Sequence, residues 1–194
     1  MELSENLLEY VVETVMNWLW TEQTDIRRFE IIRYGIKCLL CEFVKFLILI
    51  TVFALTHNTM DFLISCCTLI IMRIYIGGTH RHTWTGCFFQ SLFTFAAIIL
   101  LKQNISFSFP MIYSVYLIMI VWIWKKAPLV SPNRAAYDSF QRMRFKTKAV
   151  TVLLILLMLI ISLPKEMAGN IIWTIIAVLF DSMIAATKTH NDRG

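Results

Sequence analysis

Charge is scarce in this chain. Only 16% of its 194 residues are charged while 58% are hydrophobic, and that balance excludes an ordinary water-soluble domain, in which about a quarter of residues are charged. Glycine is sparser still, six in all, so the places where the backbone is asked to turn sharply can be named. No basic n-region opens the chain. Met1 to Trp20 carries glutamates instead, which argues against a cleavable signal peptide. The pair Cys38 and Cys41 is not followed by a second Cys-x-x-Cys, so the spacing of a zinc site is missing. Cys38, Cys41, Cys66 and Cys67 all lie within apolar runs and read as small hydrophobes rather than disulfide partners.

Apolar length is what the chain has in quantity. Six runs approach the roughly 17 to 25 residues that a helix needs to cross a bilayer, and only a helix satisfies its own backbone groups there. They are Cys38 to Thr56, Phe62 to Ile76, Cys87 to Leu101, Phe107 to Trp124, Ala149 to Leu163 and Ile171 to Thr187. The second, third and fifth are short, so their helices must draw on flanking residues or tilt little. The expected fold is all-α, a polytopic membrane protein of six transmembrane helices forming a single domain over 1–194. It comprises N-terminal amphipathic helices over 1–37, a membrane core over 38–187 and a basic loop over 125–148.

Lysine and arginine set the orientation. Arg27, Arg28, Arg33, Lys37, Arg73, Arg81, the seven basic residues from Lys125 to Lys148, Lys188 and Arg193 fall on one side, and only Lys102 and Lys165 on the other. Both termini are therefore expected in the cytoplasm. Leu3, Leu7, Val11, Val15 and Trp18 recur at helical spacing opposite Glu2, Asn6, Glu9, Glu13 and Asn17, an amphipathic helix that fits the inner membrane surface. Its acidic face is equally suited to docking on the protein's own basic side or on a substrate. Thr24 or Asp25 supplies a cap for a second helix that runs through "IRRFEIIRYGIK" into the first span. Within that span Glu42 and Lys45 stand one helical turn apart, where they can neutralise each other.

Polarity then concentrates in "RIYIGGTHRHTWTGC", residues 73 to 87, which holds half of all the glycines. Cys87 opens the third span, where a helix N-terminus favours an anion and hence a thiolate. A thiolate nucleophile needs a base beside it, and His80 and His82 are the candidates. On one continuous helix His80 and Cys87 would stand about 10.5 Å apart along the axis, so the segment must fold back, with Gly77, Gly78 and Gly86 supplying the freedom. A metal site from His80, His82 and Cys87 lacks a fourth ligand. A plain polar turn between two spans is the third reading.

The same residues resemble the signature of the accessory gene regulator B family, membrane endopeptidases of Gram-positive peptide quorum sensing: an arginine, a Gly-Gly pair, a histidine, and a cysteine seven positions later. "RYGIKCLLCEF" resembles the family's entry to its first span, and "KKAPLVSPNRAAYDSFQRMRFKTK" its inner loop between spans four and five. The resemblance implies a cysteine endopeptidase that removes the C-terminal tail of a signal propeptide and helps close a thiolactone or lactone. It implies Cys87 as nucleophile and His80 as base, with Arg73 and Gly78 required as well, and gives His82 no catalytic role. Gly77 completes the pair. Gln90 and Ser91 share a helical face with Cys87 and, with the backbone N–H groups opening the span, are candidate oxyanion donors. A group to orient His80 is not evident; Glu42 and Asp181 are the acids at hand.

Lys125, Lys126, Arg142 and Arg144, in the basic loop, are candidates for gripping an acidic propeptide tail; positive-inside retention alone also accounts for them. Pro128 and Pro132 keep the first part of that loop from being helical. The expected partners are the propeptide, the lipid bilayer and, from the family, a second copy in a homodimer, with no nucleic acid, cofactor or metal. The competing function is a peptide transporter or membrane scaffold, for which the charge pair and Asp181 are suggestive, although no inverted repeat is visible.

Overall fold

Runs too short to span a membrane acquire the missing length by recruiting polar flanks into the same helix. The computed structural model describes Tyr10, Glu13, Thr14 and residues 26–79, 83–129 and 137–191, and from residue 26 onward the described residues form six helices: α1 Ile26–Leu55, α2 Thr59–Ile76, α3 Trp84–Asn104, α4 Phe109–Lys126, α5 Ser139–Ser162 and α6 Lys165–Asn191. No strand occurs among the described residues. The three short runs extend to 18, 21 and 24 residues in α2, α3 and α5. Among the described residues five helices, α2 to α6, are long and apolar enough to cross a membrane, which makes this a multi-pass membrane protein.

Two compact units divide at 52/53. In the first, α1 runs without a break from Ile26 through the "IRRFEIIRYGIK" segment into the apolar stretch, and Glu42 and Lys45 form the ion pair that their spacing allows. Tyr10, Glu13 and Thr14 are helical, with the Thr14 hydroxyl donating to the Tyr10 carbonyl at 2.8 Å and Glu13 Oε1 4.0 Å from Arg33 Nη2. The apolar face of the amphipathic helix, Leu3, Leu7, Val11, Val15 and Trp18, and the Thr24/Asp25 cap lie outside the described residues.

All five spans belong to the second unit, and α6 is their centre. It packs on α2, α3, α4 and α5, and half of its most apolar stretch is buried inside the protein, against 17–33% for the other four spans. Ile171, Ile172, Ile175, Val178 and Leu179 of α6 meet Met72 and Ile76 of α2, Tyr116, Met119 and Ile123 of α4, and Leu153, Leu156 and Ile160 of α5. A second apolar knot joins Phe53, Phe62 and Phe95, with Phe62 stacked on Phe53 and edge-on to Phe95, both at 5.0 Å between ring centroids. The outward faces remain apolar: Phe93, Leu117 and Met158 are each about two-thirds exposed, a surface that matches lipid and would aggregate in water.

Local chemistry fixes the helix ends. Asp138 caps α5 in a reciprocal box with Gln141, and Pro110 sits in the first turn of α4, where its missing N–H costs nothing. Where α2 begins and α3 ends, Lys102 Nζ bonds Asp61 Oδ1 at 2.6 Å and Asn170 Nδ2 of α6 bonds the same oxygen at 2.7 Å. Asn170 is fully buried, so this cluster pins α2, α3 and α6 together at one end of the bundle.

Candidate active site

Helix α2 stops because Gly77 adopts a φ of 85°, a left-handed conformation that side chains other than glycine resist. Its N–H still donates to the Arg73 carbonyl at 3.0 Å, while the Ile76 carbonyl accepts from the Leu129 N–H at 2.9 Å. The chain after α4 thus crosses directly over Gly77, and a Cβ there would fall 2.7 Å from the Leu129 carbonyl oxygen. Gly78 is needed for a different reason. A Cβ on it would stand 2.5 Å from Asp181 Oδ2 and 3.1 Å from Arg73 Nε. The two adjacent glycines therefore clear room for two separate neighbours, a backbone carbonyl and a carboxylate.

That carboxylate, on α6, gathers the turn. Arg73 Nη2 donates to Asp181 Oδ2 at 2.5 Å, and the Thr79 N–H donates to the same oxygen at 3.3 Å. The Thr79 hydroxyl donates to Oδ1 in a short hydrogen bond. Gln90 Nε2 of α3 reaches both the Thr79 hydroxyl, at 2.9 Å, and Asp181 Oδ1, at 3.3 Å. The Asp181 side chain is only 14% exposed, where charge-assisted bonds of this kind are strong.

Helix α3 starts at Trp84, with Thr83 as its cap. The Thr83 hydroxyl accepts from the Gly86 N–H at 3.3 Å and its carbonyl accepts from the Cys87 N–H at 3.1 Å. Two expectations change here. Gly86 is helical and takes no part in a reversal, and the amides of Gly86 and Cys87 are engaged by the cap instead of facing a substrate. Gly86 falls within the first turn of α3 because a threonine one residue before Trp84 is a ready cap.

Cys87 lines a cavity of about 450 Å³ together with Arg73, Thr79, Gln90, Ser91 and Asp181. From this polar end the cavity continues between α3 and α6 past Thr94, Ile98 and Ala177 to Leu101 and Trp173. A thiol, a hydroxyl and an ion pair therefore share one pocket, a set suited to acyl transfer.

The sequence model described as accessory gene regulator B matches residues 5–184. The chain belongs to the accessory gene regulator B family. Neither a curated protein nor a solved structure matches the chain. Membership carries a role in processing quorum-sensing propeptides, and with it a propeptide as substrate. In this family member Arg73 and Cys87 line one cavity, and Gly78 abuts the Arg73–Asp181 pair on its wall. His80 and His82 lie outside the described residues.

The structure does not bring the basic residues to that cavity. Lys125 and Lys126 end α4, Arg142 and Arg144 lie on the first two turns of α5, and all four are exposed. The two segments are tied together by Lys146 Nζ, which donates to the Trp124 carbonyl at 2.6 Å. Ala127 to Leu129 is non-helical, as the proline at 128 requires, and Pro132 lies outside the described residues. The residue that sequence reasoning undervalued is Asp181. It is 91 to 108 positions from its partners, and its one signal was an acid inside an apolar helix.

Proposed function

We propose that this accessory gene regulator B protein is a membrane cysteine endopeptidase that cuts the C-terminal tail from its signal propeptide and promotes closure of a thiolactone or lactone. The observation that carries this is the shared cavity: Cys87 opens onto the same recess as Arg73, Thr79, Gln90 and Asp181. In the reaction His80 takes the Cys87 proton, the sulfur attacks the scissile carbonyl, and the imidazolium donates its proton to the departing amine. The tail leaves and a thioester remains. A propeptide thiol or hydroxyl then attacks that thioester, its proton returning to His80 and the Cys87 sulfur leaving as the ring closes. Ser91, one helical turn beyond Cys87 on the cavity wall, is the side chain placed to donate to the oxyanion. Gln90 is not, being engaged with Thr79 and Asp181. The apolar reach of the cavity toward Leu101 excludes water and so favours ring closure over hydrolysis.

In this reading α1 also crosses the membrane, giving six spans, with both termini and Cys87 on the cytoplasmic side, and two copies form a dimer. Lys125, Lys126, Arg142 and Arg144 then bind the acidic tail outside the cavity. The test is reconstitution of the purified protein with a candidate propeptide, scoring the shortened product by mass. Cys87→Ala and His80→Ala are expected to abolish cleavage, and product formed by either variant refutes the dyad.

A further inference from the structure

Resting on that reading, we infer that Asp181 is a positioning residue that locks the backbone immediately before His80 through Thr79, and is not the carboxylate that pairs with the imidazole. The argument is one of capacity. An ionised carboxylate offers about four acceptor sites. Arg73 and the Thr79 N–H occupy Oδ2, while the Thr79 hydroxyl and Gln90 occupy Oδ1, so the described residues saturate it. Both of the groups Thr79 can donate, its N–H and its hydroxyl, go to this one side chain, and its hydroxyl oxygen accepts from Gln90. Thr79 is thereby held at three points, and its next residue in the chain is His80.

The surroundings are built for the same contact. Gly78 has no side chain where a Cβ would overlap Asp181 Oδ2, so the backbone of the signature is brought against the carboxylate at the only residue type that permits it. Arg73 supplies the charge that keeps an acid in an apolar helix acceptable; with its Nη2 bonded to Asp181, it acts on the turn through that acid, and the substrate's carboxylates are left to the exposed basic residues. Three helices thus converge on the residue preceding the base: α2 through Arg73, α3 through Gln90 and α6 through Asp181.

The experiment measures kcat and KM for propeptide cleavage by the full-length protein in liposomes. Asp181→Ala, Thr79→Val and Thr79→Ser are compared, with Cys87→Ala alongside. A displacement of about 1 Å at a catalytic turn costs roughly a hundredfold in rate. Asp181→Ala is therefore expected to lose about a hundredfold in kcat with KM within about twofold, and Thr79→Val about tenfold. Thr79→Ser, which restores the hydroxyl, should return to near wild type, and adding Thr79→Val to Asp181→Ala should cost nothing more. Thr79→Val with full kcat, a loss confined to KM, or a Thr79→Ser variant as impaired as Thr79→Val overturns the latch. If Asp181→Ala does not fold, the Thr79 pair decides the matter alone. Should Cys87→Ala still cleave, the cysteine mechanism falls and the latch with it; a dead Cys87→Ala beside fully active Asp181 and Thr79 variants removes the latch only.

Discussion

At one end of the bundle Asp61, Lys102 and Asn170 meet, and at the other Arg73, Gln90 and Asp181 do, so α2, α3 and α6 each contribute one polar side chain to both ends. The signs are reversed: α2 gives the acid at one end and the base at the other. The surroundings differ more than the chemistry does. Among the described residues, none of Asp61, Lys102 and Asn170 lines the cavity, whereas Arg73, Gln90 and Asp181 all do. The first cluster involves helical residues only, while the second extends through Thr79 into a non-helical turn. The same set of interactions thus serves as a fastener where it meets only helices, and as a support for chemistry where it meets a loop and a thiol.

The comparison is sharpest if the two ends respond separately to substitution. Lys102→Met leaves the partly buried Asp61 without its cation, the side chains being only 14% exposed for Lys102 and 20% for Asp61. Removing one member of such a pair costs about 3 kcal/mol, measurable by equilibrium unfolding in mixed micelles, and cleavage per folded molecule should be unchanged. Adding Asp61→Asn should return much of that stability, since the orphaned charge is gone. Next in size is Gly78→Ala, which drives a methyl into Asp181 Oδ2 and should lower kcat about a hundredfold, equivalent to about 2.7 kcal/mol of barrier. Its unfolding midpoint should move less than that of Lys102→Met, and the opposite order would erase the distinction between the two ends.

Asn170→Leu removes one donor to Asp61 and is expected to cost about 1 to 2 kcal/mol of stability, again without effect on kcat. Asp138→Ala, which breaks the capping box of α5 and removes no bond of either cluster, should cost about 1 kcal/mol and serves as the reference for a purely local change. A tenfold loss of kcat in either variant would show that the division of labour drawn here is too clean.

Much of the fold was legible because lipid imposes one solution on a long apolar run, and α2 to α6 formed where hydropathy placed them. The signature residues were legible too, since Gly-Gly and Cys87 are local features. Their reasons were not. Gly78 read as a flexible point, while its role is clearance for a carboxylate 103 residues away in sequence, and no periodicity reports such a contact. Asp61 and Lys102 lie just outside the apolar runs of the sequence; both proved helical and paired, because the helices extend beyond those runs. Thr83 and Asp138, by contrast, act within a few residues of themselves, and capping residues of this kind can be read directly from the sequence.

Asn170 and Asp181 are eleven residues apart on α6, close to three full turns, so both leave the helix from nearly the same stripe. Sliding α6 by a single residue would turn that stripe through about 100° and withdraw the carboxamide and the carboxylate from their partners in the same movement. Oily side chains tolerate such a shift with little loss, since one aliphatic contact replaces another; the paired polar groups do not. Vertical alignment of the central helix is thereby encoded twice, by two residues among twenty-seven, and an error in assembly that reached the thiol would first have to disengage both.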